Sequence, residues 1–207
     1  MNTLGKRFLI TVLINLLFVA ANTFSLEAAD LNHMLQGEYI MVSTLTCVSS
    51  SGGFNENLTR IGGGGIVTSH SNGLVTFDGN GNGTLVGSTI VINPINLNDG
   101  EAPVTPNDTT STFTYTVDTD GFYQSNSVIT STRTGGPSSG VTITISGIRT
   151  EGQLSSDGET LLISDTNPNI EVITLPDEST VDRICGRTGT IMKIKAVQPK
   201  VVVIPLM

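Results

Sequence analysis

The chain has 207 residues, with 10 Lys or Arg against 18 Asp or Glu and a formal net charge of −8. That length suits one domain with a sizeable core, and the acidic, lysine-poor balance argues against a nucleic-acid partner. Only 14% of residues are charged, Gly numbers 23, Pro 8, and Trp is absent, a composition that points to a turn-rich β protein and away from a helical bundle.

The first residues read as an export leader. Lys6 and Arg7 precede an apolar run at 8–21 (FLITVLINLLFVAA), and small residues follow at Ala20, Ala21, Ala28 and Ala29. The pattern predicts a cleaved segment over 1–29, with a cut as early as after Ala21. The run is shorter than the ~20 residues a bilayer-spanning helix needs, so no membrane span is expected after leader removal. The chain beyond the leader keeps Cys47 and Cys185. An even count in an exported chain favours one structural disulfide, with two buried thiols as the alternative. Two cysteines so far apart, with no His pair nearby, make a poor zinc site. Neither metal nor cofactor is expected.

Period-two alternation follows. In 38–47 (EYIMVSTLTC), Tyr39, Met41, Ser43, Leu45 and Cys47 share a face. Residues 73–78 and 83–92 flank a turn at 79–82. Residues 112–117 (TFTYTV) lead across Asp118-Thr119-Asp120-Gly121 into 122–130. Further strands are predicted at 141–148, 153–154, 160–164, 171–175 and 190–197. Residues 28–35 allow at most a short helix. Asp-Gly pairs at 78–79, 99–100, 120–121 and 157–158 supply the positive φ of tight hairpins. The sum is an all-β meander over 30–197, expected to close as an antiparallel up-and-down barrel of about eight or nine strands, since closure hides sheet edges. A two-sheet sandwich is the alternative. Two loops are expected at 49–72, which is Gly-rich and holds His70, and at 93–111. The apolar tail 198–207 (QPKVVVIPLM) offers one more edge strand.

Catalytic patterns are thin. Asp78-Gly79-Asn80-Gly81-Asn82-Gly83 matches half of a calcium loop, but Thr89 stands where a bidentate Glu is needed, and a hairpin explains it. His70 between Ser69 and Ser71 lacks an orienting carboxylate and an oxyanion hole in the pattern. No catalytic residue is assigned.

The opening Gly37-Glu38-Tyr39, the short helical stretch before it, the run of strands and the late Ile184-Cys185-Gly186-Arg187 resemble lipocalin-like, calycin-type barrels, which carry Gly-x-Trp at the first strand. They also resemble small secreted bacterial β-barrel proteins. The resemblance implies that Arg187, or Arg183, packs over Tyr39 and closes one barrel end. A barrel of this strand number encloses side chains or one small ligand. The expected function is an extracytoplasmic binding module for a small apolar or amphipathic ligand. The inward candidates, assigned by face, are Tyr39, Met41, Leu45, Phe77, Phe113, Tyr115 and Tyr123. The competing expectation is a cell-surface structural or interaction protein with a solid interior.

Overall fold

The computed structural model describes residues 30–93 and 104–195. The expected leader and the expected tail strand lie outside the described residues.

A 3-10 turn at Asn32–Met34 precedes nine strands: β1 (Gln36–Ser50), β2 (Ile66–Asp78), β3 (Asn82–Ile92), β4 (Val104–Val117), β5 (Phe122–Arg133), β6 (Thr142–Leu154), β7 (Thr160–Ser164), β8 (Ile170–Thr174) and β9 (Thr180–Lys193). From β1 to β7 successive strands pair antiparallel, β8 pairs with β6 and β9, and β9 returns to pair with β1. Among the described residues the sheet is therefore a closed ring, in which every strand has a partner on both sides. A ring whose neighbours are all antiparallel needs an even number of places. The nine strands satisfy this because β7 and β8 share one. β7 pairs with the end of β6 and β8 with its beginning, and β9 runs beside both. The result is an eight-place barrel with one interrupted stave.

The interruption at 165–169 is held by hydrogen bonds. Thr166 and Asn167 donate to the Glu151 carboxylate at 2.8 and 3.0 Å. Burial would leave that carboxylate costly if it were unpartnered. These bonds, led by Asn167, hold it below the usual carboxylate range.

One end of the barrel carries three tight hairpins. Each is pinned by an Asp side chain that accepts hydrogen bonds from nearby backbone N–H groups, an arrangement that favours a turn over an extended chain. Asp78 accepts from Asn80 N and Asn82 N at 2.7 and 2.9 Å, and Asp118 from Asp120 N and Phe122 N at 3.0 and 2.8 Å. Asp157 accepts from the Ser155 hydroxyl at 2.6 Å and from Glu159 N at 3.0 Å. Gly121 (φ 79) and Gly158 (φ 71) take the left-handed conformation these turns need.

The core sits at this hairpin end. Leu35, Tyr39, Val75, Phe77, Tyr115, Val117 and Leu161 are buried together. Phe77 is the hub, edge-on to Tyr39 at 5.2 Å, Tyr115 at 5.1 Å and Phe113 at 5.6 Å between ring centroids. Phe113 reaches it by lying across Gly83, its register partner, where an added Cβ would stand 2.2 Å from the ring. The N-terminal turn closes the barrel beneath these rings. Leu31 N donates to Val117 O at 2.8 Å, and Val117 N donates to Asn32 Oδ1 at 2.7 Å. The Tyr115 hydroxyl donates to Leu35 O at 3.0 Å and the Tyr39 hydroxyl to Gly158 O at 3.0 Å. Each tyrosine thus buries its ring and satisfies its polar tip.

Four segments differ from the sequence expectation, the first being β6, which runs unbroken over Thr142–Leu154 in place of the separate strands expected at 141–148 and 153–154. β1 and β2 extend into the expected Gly-rich loop, which shrinks to 51–65. β4 begins at Val104 instead of 112, and β9 at Thr180 instead of 190. The inward positions of these added stretches hold Ser69, Ser71, Asn107, Thr109, Arg183 and Arg187. Polar residues on both faces erase the alternation that marks a half-buried strand.

Candidate functional site

Above the aromatic floor the interior opens into a cavity of about 490 Å³. Val75, Phe113 and Tyr123 line its base, and Arg133, Gly135 and Pro137 line it near the β5–β6 connection. The cavity therefore runs from the core to the end that carries the longer connections, 51–65 and 134–141.

The wall at β8 and β9 holds a buried charge cluster. Glu171 is 0% exposed. Its carboxylate accepts from Arg183 Nε at 2.8 Å and pairs with Arg183 Nη2 at 2.7 Å and with Arg187 Nη2. Arg187 Nη1 reaches Asp165 Oδ2 at 3.1 Å. Two guanidinium groups thus face two carboxylates, the neutral balance that buried charge requires. Burial pushes the Asp165 carboxyl above its ordinary range, with Arg187 opposing. Burial also lowers Arg183 from the usual arginine value, with Glu171 opposing. The disulfide Cys47–Cys185 lies against this cluster, with Cys185 Sγ 3.6 Å from Glu171 Oε2. The two cysteines are register partners on β1 and β9, so their side chains meet on the inner face.

The floor is dry. Burial pushes Tyr115 up to about 12 and raises Tyr39 and Tyr123 as well.

The expected inward residues separate into two groups. Met41, Leu45, Phe113 and Tyr123 line the cavity. Tyr39, Phe77 and Tyr115 lie in the floor beneath it. The expected cation over Tyr39 is corrected. Lys193 Nζ stands 5.7 Å from the ring centroid, because Lys193 is the register partner of Tyr39 while Arg187 is that of Leu45. Arg187 and Arg183 serve Glu171 instead. His70 is in β2 on the outer face, 3.2 Å from the Thr44 hydroxyl. Sequence reasoning passed over Asp165 and Glu171. The available signal was Glu171 alternating with Val172 in a short strand, an acid on the face that Ile173 shares.

No known family model matches the sequence, and no curated protein matches it. Among solved structures the chain is similar to the crystal structure of Neisserial surface protein A (NspA). The TM-score is 0.46 at 11% identity, over 77% of this chain and 98% of that one.

Proposed function

We propose that the chain is an exported, lipocalin-like barrel that holds one small apolar or amphipathic ligand above its aromatic floor. The cavity carries this reading: about 490 Å³ falls within the roughly 300–1,000 Å³ of small-molecule sites. Export is supported by the leader pattern and by a disulfide, which persists in oxidising compartments. The lipocalin-like reading is supported by the eight-place ring, by the short turn beneath its floor and by Gly37-Glu38-Tyr39 at the first strand. On β4 the outward residues Asp108, Thr110, Thr112 and Thr114 are exposed, where a lipid-facing strand would be apolar, which supports a water-facing reading of that strand.

Native mass spectrometry of the protein purified from its own host tests the reading. The expected spectrum shows the polypeptide plus one lipid-sized mass, lost on denaturation. Ligand-free polypeptide that also fails to take up 1-anilinonaphthalene-8-sulfonate overturns it.

A second reading, a surface interaction protein, is favoured by one observation. Met192, Ile40, Leu74 and Val86 are successive register partners across β9, β1, β2 and β3, and they are exposed on the outer wall at 49, 49, 39 and 61%. A contiguous apolar row of this kind marks contact surfaces. The same spectra separate the readings, because discrete oligomers that collapse in Ile40→Thr would favour the second.

A further inference from the structure

The cavity has two unlike walls. On one side, β2 to β5 present mostly polar side chains, among them Ser69, Ser71, Thr89, Thr109, Ser111 and Ser125, with Val67, Leu85, Val91 and Ile129 between them. On the other, β6 to β9 and β1 present mostly apolar ones, among them Leu45, Ile143, Ile145, Ile163, Ile173 and Ile191, with Ser43, Thr150, Arg183 and Arg187 between them. In an eight-place ring these groups of staves stand across the cavity from each other.

The hydroxyl wall is organised. Ser71 and Thr89 oxygens are 2.9 Å apart, Thr89 and Thr109 oxygens 3.3 Å apart, and Ser111 donates to Val128 O at 2.9 Å. Each hydroxyl carries one proton and two lone pairs, so this ladder leaves unfilled acceptor sites on oxygens of residues that line the cavity. Filling that side with hydrocarbon would strip those oxygens of water without replacement, which opposes binding. A ligand hydroxyl replaces the water and keeps the bond. The isoleucine-rich side carries far fewer hydroxyls, Ser43 and Thr150 among them, and gains chiefly from apolar surface. The charged cluster adds no demand of its own, since Glu171 and Asp165 already neutralise Arg183 and Arg187.

Resting on the binding reading above, we infer that the ligand is two-faced: a rigid, ring-built lipid with hydroxyls along one face and bare hydrocarbon on the other. A straight acyl chain has no polar edge to offer β2 to β5.

Calorimetric titration of the folded, disulfide-bonded protein with three probes tests this. Cholate carries its hydroxyls on one face of a fused ring system. The carboxylate 5β-cholanate has the same skeleton without hydroxyls, and palmitate is a flexible chain. Cholate is expected to bind roughly tenfold more tightly than either, the scale of one or two well-placed hydrogen bonds. The shape-conserving double variant Thr89→Val/Thr109→Val is expected to erase that preference. Ser71→Ala provides a second readout should the double variant not fold. Equal or tighter binding of cholanate or palmitate, or a preference unchanged in a folded variant, overturns the two-faced ligand and leaves the binding reading standing. A folded protein that binds none of the three overturns both.

Discussion

The hairpin end and the mouth end of the barrel share the same staves and have opposite interiors. On β2, Val75 and Phe77 face the floor while Ser69 and Ser71 face the cavity. On β4, Tyr115 and Val117 face the floor while Asn107, Thr109 and Ser111 face the cavity. The backbone ladder is continuous through both. The ladder therefore sets the shape, and the side chains decide where the shape is filled. Filling one end supplies the burial that stabilises the fold, which leaves the other end free to enclose a space.

The sharpest way to break this comparison is to cut the staple at the mouth. Replacing Cys47 and Cys185 together by Ser removes a closure spanning 138 residues, for which chain entropy assigns about 5 kcal/mol. Urea unfolding is expected to show that loss as a lower midpoint. At the floor, Phe77→Ala is expected to cost about 3–5 kcal/mol, as a buried aromatic truncation does. Thermal unfolding by circular dichroism reads it directly.

Alkaline pH also attacks the floor selectively. Tyr115 is raised from 10.0 to about 12 by burial. A group whose folded value is raised keeps its stabilisation below pH 10 and loses it as pH climbs toward 12, because the unfolded chain releases its proton first. Absorbance at 295 nm is expected to rise together with loss of β signal. Tyrosines that titrate below pH 10 with the fold intact would show the floor to be wet. The smallest effect belongs to the cavity wall. Ser131→Ala is expected to shift stability by less than about 1 kcal/mol, since Ser131 lines the cavity and is not packed into the floor. A loss as large as that at Phe77 would remove the distinction between the two ends.

This contrast also governs what a reader of the sequence can see. The floor halves of the strands, such as 73–78 and 112–117, alternate apolar with polar and were legible as strands. The mouth halves, 66–72, 104–111 and 180–189, put Ser, Thr, Asn or Arg inward around a cavity and so read as loops. Of the site, Met41, Leu45, Phe113 and Tyr123 were reachable through alternation. The hydroxyl wall and the Glu171 cluster were not, because polar inward residues have no periodic signature of their own.

From the sequence alone came the all-β class, the antiparallel meander, the Asp-Gly hairpins at 78–79, 120–121 and 157–158 (the pair at 99–100 lies outside the described residues) and the pairing of Cys47 with Cys185. Each is a local pattern or a parity argument. Only the tertiary structure decided that β7 and β8 share one place, that Lys193 instead of Arg187 stands over Tyr39, and that Arg183 and Arg187 turn to Glu171. These depend on the register in which β9 returns to β1. Register is a relation between distant segments, and no single stretch of chain encodes it.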